Sequence, residues 1–240
     1  PTLMSPICQQ LENSYNFFPI LLCIHIPTHT VFYEPTDMLI ANKPFKLEPK
    51  QYRQIKFMSP NIYELRKIAE TLKASSLSSS TAPTTSSLLG NDLKFNNGEE
   101  NFAEIAQLCD GLYDDIDNIL VTVGSLGVVI QGRCFSPDSK NTFFNQDFQY
   151  ICGKKVDGNK MLRHYPSVTV VNDLVSSTGA GDAFNSGFVA AMLKHKSEPI
   201  CVSVGFQAAL MSLRSMHAVP QEFFNENHPC WATFAKFNIV

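Results

Sequence analysis

The stretch that most constrains this chain is Ser176–Phe184, "SSTGAGDAF". It follows the apolar run "VTVVNDLV" and precedes "NSGFVAAMLKHK", whose apolar spacing is that of a helix. Two glycines and an acid are therefore placed where a strand hands over to a helix. In an open parallel sheet, ligands sit at the carboxyl ends of strands. A glycine-rich entry to a helix there presents bare backbone N–H groups and the positive end of the helix dipole, a seat for an anion. Gly179 and Gly181, with Ala180 between them, let the backbone approach that anion closely.

Asp182 does not suit simple anion binding, because a carboxylate repels a bound phosphate. It suits a base that takes a proton from an attacking hydroxyl while the neighbouring N–H groups hold the charge of a phosphoryl group in transfer. The plainer alternative is an acid in the first helical turn that only complements the dipole.

The rest of the chain sets the scaffold. "TVFYEPTD" (Thr30–Asp37) reads as a strand stopped at Glu34-Pro35, and Arg53–Asn61 as a strand and turn. Helices are expected over Asn61–Ala74, Asn101–Leu112, Gly181–Lys196 and Glu198–Met216. Asn118–Gly132 reads as two strands turning through Gly124–Gly127, and Pro166–Val175 as a further strand. Arg133–Tyr165 is polar and irregular, and its "GKKVDGNKMLRHY" cluster reads as a solvated loop. The first thirty residues look like the tail of a helix. The low-complexity Ser/Thr/Pro tract over 75–88 reads as a surface insertion. Alternating strands and helices argue for an α/β fold with a mostly parallel sheet and helices on both faces.

Charge narrows the partners. Nineteen Lys and Arg stand against 22 Asp and Glu, a net charge of −3, so no basic face supports nucleic-acid binding. The run Phe17–Ile26 is broken by Pro19 and His25 and is too short to span a bilayer. Seven scattered cysteines without a C-x-x-C pair suit reduced thiols, hence an intracellular, cytoplasmic location, with a mitochondrial one left open. The chain begins at Pro1 rather than Met, which suits a piece of something longer.

"TGAGDAF" (Thr178–Phe184) resembles the signature of ribokinase-like (PfkB) carbohydrate kinases. Two more segments follow that family's order. "SPNIYEL" is similar to its N-x-x-E element, with Asn61 and Glu64 one helical turn apart. "VTVGSLGVVI" is similar to its T-x-G-x-x-G turn, with Thr122, Gly124 and Gly127. The resemblance spans roughly Thr30–Gln221. It implies a ribokinase-like fold, ATP as co-substrate, Mg²⁺, and a sugar or nucleoside as the small-molecule acceptor. Asp182 would be the catalytic base, Gly179, Ala180 and Gly181 the anion hole, and Thr122, Gly124, Gly127 and Thr178 nucleotide contacts. Asn61 and Glu64 would act on Mg²⁺ through water and phosphate. For each short motif a structural reading stands beside the functional one: Asn-x-x-Glu is also a helix capping box, and T-x-G-x-x-G an ordinary hairpin turn.

"VFYEPTD", "SPNIYEL" and "AALMSLRSMHAVP" lean toward the pseudouridine kinases of the family, which implies a fused or upstream pseudouridine-5′-phosphate glycosidase domain. Residues 1–29 are then a remnant of a preceding segment, and residues 30–240 the nucleotide-binding domain. Glu34 could join the Mg²⁺ water network. The chain departs from the family in two ways. It has no Gly-Gly pair, so the N-terminal part and lid that read the sugar are incomplete, and an inactive, truncated nucleotide or partner binder is the alternative function. Ser176-Ser177 also stands where many relatives have Asp-Thr, which puts potassium activation in doubt.

Overall fold

The computed structural model describes residues 20–24, 30–77, 98–133, 160–167, 174–217, 219–221 and 223–240. Seven strands form one sheet in sequence order: β1 (Ile20–Ile24), β2 (Thr30–Glu34), β3 (Ile55–Met58), β4 (Asn118–Thr122), β5 (Val128–Arg133), β6 (Lys160–Tyr165) and β7 (Asn238–Ile239). The helices are α1 (Pro49–Tyr52), α2 (Ile62–Leu77), α3 (Gly98–Leu112), α4 (Ala180–Leu193) and α5 (Glu198–Leu213). The sheet is mixed. β2, β3 and β4 pair in parallel, and the pairings on either side of them are antiparallel.

Side-chain alternation divides the core into two layers. Val31, Tyr33, Met58, Ile119, Val121 and Val129 point to one face and pack with Leu65 and Ile68 of α2 and Ile105 and Cys109 of α3. Phe32, Phe57, Leu120, Val128 and Ile130 point to the other and pack with Phe184, Phe188, Val202 and Val204 of α4 and α5. Helices thus cover both faces, as the alternation of elements requires. Phe188 is fully buried and stacks on Phe184, a placement worth roughly 1.5–3 kcal/mol relative to exposure.

α2 begins where Asn61 caps it. The Asn61 Oδ1 accepts from the N–H groups of Tyr63 and Glu64 at 2.9 and 3.0 Å, and the Asn61 N–H donates to Glu64 Oε2 at 2.8 Å. This is the reciprocal capping box that Asn-x-x-Glu spells. α2 runs to Leu77, so the Ser-rich tract opens with the helix's last turn, and its remainder over 78–88 lies outside the described residues.

Two expectations are corrected. Residues 20–24 are not helical but form β1, whose Ile20 pairs with Glu34. Residues 160–165 are not a solvated loop but β6, paired with β5 along its whole length. Arg163 made that segment look like surface. Its guanidinium is instead fully buried against Glu198 in the first turn of α5, with N–O distances of 2.5 and 2.8 Å. The partner lies 35 residues further on, so nothing local in the sequence announces it. The strand expected over Pro166–Val175 falls mostly on residues 168–173, outside the described residues.

Candidate active site

The turn from Ser176 into α4 is anchored at the far end of α5. The N–H groups of Val175 and Ser176 both donate to the Leu213 carbonyl, at 2.9 and 3.3 Å. Thr178 is exposed, and its N–H donates to Ser176 Oγ at 3.2 Å. Gly179 then takes the left-handed conformation, φ 81° and ψ 0°, as the residue before the helix. That reversal turns the next N–H groups along the helix axis toward solvent. The Ala180 N–H makes a 3.3 Å bond to Ser177 O, whereas Gly181 and Asp182 lie in the first helical turn, where N–H groups have no intrahelical acceptor. Among the described residues, no atom beyond its chain neighbours and its own helix backbone comes within 4 Å of where a Gly181 Cβ would stand. The ground above the helix terminus is therefore open, and Asp182 is exposed beside it.

A second group forms at the ends of β3 and β4. Asn61 forms a parallel bridge with Thr122, whose N–H donates to Pro60 O at 3.0 Å. This brings Asn61, Glu64 and Thr122 together from segments 60 residues apart in sequence. After Thr122 the chain makes a single 3₁₀ turn, Gly124–Leu126, with φ 56° at Gly124 and 99° at Gly127. The Val123 N–H closes it on Gly127 O at 2.9 Å. A Cβ on Gly127 would lie 2.1 Å from Tyr165 O, so only glycine fits. The turn is a hairpin needing glycines, and Asn61–Glu64 is a capping box. Both structural readings are realised, and each leaves its polar residues on the same edge of the sheet.

Carboxylates converge on that edge. Burial pushes the Glu34 carboxyl up to about 8, with Asp182 and Glu64 adding to the shift. Burial likewise pushes Glu64 up to about 7; Asp37 and Asp182 add to it, and the hydrogen bonds from Asn61 oppose it. Asp182 is thus within electrostatic reach of both glutamates, although it comes from a different helix. Glu34 Oε2 is buried with no hydrogen-bond partner among the described residues. No set of three or more acidic, His or Cys groups among the described residues stands at direct metal-ligating spacing. An orphaned buried carboxyl oxygen among neighbouring carboxyl groups suits a dication that keeps its own water, as Mg²⁺ does.

Two residues of this arrangement receive no role from the sequence. Ser59, just before Pro60-Asn61, donates its hydroxyl to Asn185 Oδ1 at 2.6 Å. Asn185 is buried and lies three residues, one helical turn, after Asp182. A polar residue at that spacing on the sheet-facing side of an apolar helix is the one sequence signal that could have marked it.

A model of the pfkB family of carbohydrate kinases matches residues 37–221, well over half of the chain. This chain belongs to the pfkB family. Its fold is ribokinase-like, and a solved structure shares it. A protein described as a sugar kinase from Clostridium perfringens is 10% identical with a TM-score of 0.50, over 86% of this chain and 48% of that one. The ribokinase of Cryptococcus neoformans var. grubii, solved with ADP, is 16% identical with a TM-score of 0.48, over 81% and 50%. Adenosine kinase of Sinorhizobium meliloti is 14% identical with a TM-score of 0.46, over 79% and 41%. The pfkB chain described here spans about half the length of these structures or less. No curated protein sequence matches it. Among the described residues no helix is long and apolar enough to cross a membrane.

Proposed function

We propose that this pfkB-family chain is an ATP-dependent kinase that moves the γ-phosphoryl group of ATP to a hydroxyl of a sugar or nucleoside, with pseudouridine as the acceptor and pseudouridine 5′-phosphate as the product. The observation that carries this reading is the position of Asp182: exposed, in the first turn of α4, beside an open helix terminus and in the field of Glu34 and Glu64. The Asp182 carboxylate takes the proton of the acceptor hydroxyl. The oxygen so freed bonds to the γ-phosphorus as the bond from that phosphorus to the β–γ bridging oxygen breaks, and ADP leaves with that electron pair. The helix terminus at Gly179, Ala180 and Gly181 holds the charge on the transferring group, with the Gly181 N–H, which has no intrahelical acceptor, as its donor. Thr122, Gly124, Gly127 and Thr178 border the nucleotide.

Glu34, Glu64 and Asn61 would hold Mg²⁺ through its waters, and the ion would supply positive charge against the phosphates of the nucleotide. Ser176-Ser177 brings hydroxyls but no carboxylate, a poor basis for potassium binding. The pseudouridine assignment rests on the wording of "VFYEPTD", "SPNIYEL" and "AALMSLRSMHAVP". With it come a nucleotide-binding domain over 30–240, to whose sheet Ile20–Ile24 adds a strand, and an upstream glycosidase domain. A second reading is a nucleotide binder without turnover, favoured by a sequence that contains no Gly-Gly pair. Incubation with γ-labelled ATP, Mg²⁺ and pseudouridine, ribose or adenosine separates the two. Labelled pseudouridine 5′-phosphate supports the first, and Mg·ATP heat in calorimetry without any labelled product supports the second.

A further inference from the structure

We infer that His164, which neither the family motifs nor the proposed chemistry uses, is a positioning residue that fixes the Gly124–Gly127 turn in its working shape. The inference rests on the reading of that turn as the border of the nucleotide site. Among the described residues the backbone bonds within the turn are short-range: Val123 N–H to Gly127 O at 2.9 Å, Leu126 N–H to Val123 O at 3.1 Å, and Gly127 N–H to Gly124 O at 3.2 Å. Two of its residues have positive φ, and bonds of this 3₁₀ type are poorly aligned, so the turn by itself is a weak element.

β6 supplies what the turn lacks. His164 Nε2 lies 2.7 Å from Leu126 O. A carbonyl oxygen only accepts, so this ring nitrogen carries the hydrogen and donates it. The neutral Nε2–H tautomer and the imidazolium both make this bond. The ring also packs on Phe102 of α3, centroid to centroid 4.3 Å. The strand that carries His164 is itself pinned on both neighbours. Tyr165 donates its hydroxyl to Glu198 Oε1 at 2.7 Å, and Arg163 grips the same carboxylate at 2.5 and 2.8 Å. Because side chains alternate along a strand, Arg163 and Tyr165 reach the α5 side while His164 faces the α3 side, where the turn passes. The Tyr165 carbonyl also occupies the space that a Gly127 side chain would need. His164 and the Tyr165 carbonyl therefore meet the turn, and His164 is the one whose side chain bonds it.

The test compares the parent chain with His164→Ala and His164→Gln by amide hydrogen exchange and by calorimetry with Mg·ATP. The alanine variant should speed exchange at the Val123, Leu126 and Gly127 amides by about three- to tenfold, the size of one lost hydrogen bond, and weaken Mg·ATP by a similar factor. Protection in α4 and α5 should stay as in the parent. The glutamine variant, whose amide can donate to Leu126 O, should restore most of both. Unchanged exchange at the turn in the alanine variant, or equal loosening in alanine and glutamine, would overturn the inference. Faster turn exchange in the alanine variant of a parent that shows no Mg·ATP heat would uphold the role of His164 and overturn the nucleotide reading of the turn.

Discussion

The Ser59 hydroxyl donates to Asn185 Oδ1 at 2.6 Å, and this buried bond joins the end of β3 to α4. The Ser59 N–H is itself fixed to Tyr33 O at 2.9 Å. On one side Ser59 leads through Pro60 into the Asn61–Glu64 cap. On the other, Asn185 sits one turn beyond Asp182. This contact thus links α4, which carries Asp182, to the segment that carries Glu64, alongside the packing of Phe184 and Phe188 on the sheet.

Ser59→Ala removes the donor and leaves the Asn185 amide oxygen buried and unmatched. The cost should be about 1–3 kcal/mol in denaturant unfolding. Ser186→Ala is the control, because that hydroxyl bonds the Asp182 carbonyl from an exposed position; it should stay within about 0.5 kcal/mol of the parent. Equal effects of the two would remove the special standing given to Ser59.

The glycines should separate by backbone requirement. Gly127→Ala places a Cβ against the Tyr165 carbonyl at a φ of 99°, and backbone atoms there cannot step aside. It should cost at least about 2 kcal/mol. Gly181→Ala meets open space inside a helix and should stabilise the fold by about 0.5–1 kcal/mol. The same methyl stands where an anion must approach, so Mg·ATP should bind the Gly181→Ala variant more weakly. A more stable variant with undiminished Mg·ATP affinity would argue against an anion seat at Gly181.

Legibility in the sequence followed the range of the interactions. The hairpin over Asn118–Gly132 and the four long helices were readable because alternation, helical periodicity and glycine turns are local. The parallel pairing of β2, β3 and β4 was readable from the alternation of strand and helix, but the antiparallel pairings of β1, β6 and β7 were not, because each rests on tertiary packing. β6 is the sharpest case: a strand holding Lys160, Arg163 and His164 is polar by composition, and only Glu198 makes Arg163 a core residue. Gly179, Gly181 and Asp182 were visible as a turn into a helix. The convergence of Glu34 and Glu64 on Asp182 was not, since it depends on how three elements meet at one edge.

The acid cluster makes stability depend on pH in a definite direction. Glu34 and Glu64 hold their protons more tightly in the fold than at the ordinary carboxylate value of 4.5, so folding takes up protons. Their contribution is fully present below that value and is lost as pH rises through about 7 and about 8. Glu34→Gln should therefore raise the unfolding midpoint at about pH 9 and change it little at about pH 4. Mg²⁺ should raise the midpoint of the parent at about pH 8, and raise it less in a Glu34→Gln/Glu64→Gln double variant. Equal Mg²⁺ shifts in both would place the ion elsewhere.

The central claim is that Asp182 is the base, and the most direct measurement is Asp182→Asn assayed for phosphoryl transfer to pseudouridine alongside calorimetry with Mg·ATP. Asparagine keeps the size and still meets the helix terminus, but it cannot accept the hydroxyl proton. Transfer should fall by about 10²–10⁴-fold while Mg·ATP affinity is unchanged or slightly tighter, because a negative charge beside the phosphates is gone. If Asp182 only complements the α4 dipole, the variant instead loses roughly 0.3–1 kcal/mol of stability with transfer intact. Transfer within a few-fold of the parent, or a parent that phosphorylates no acceptor, would contradict the account.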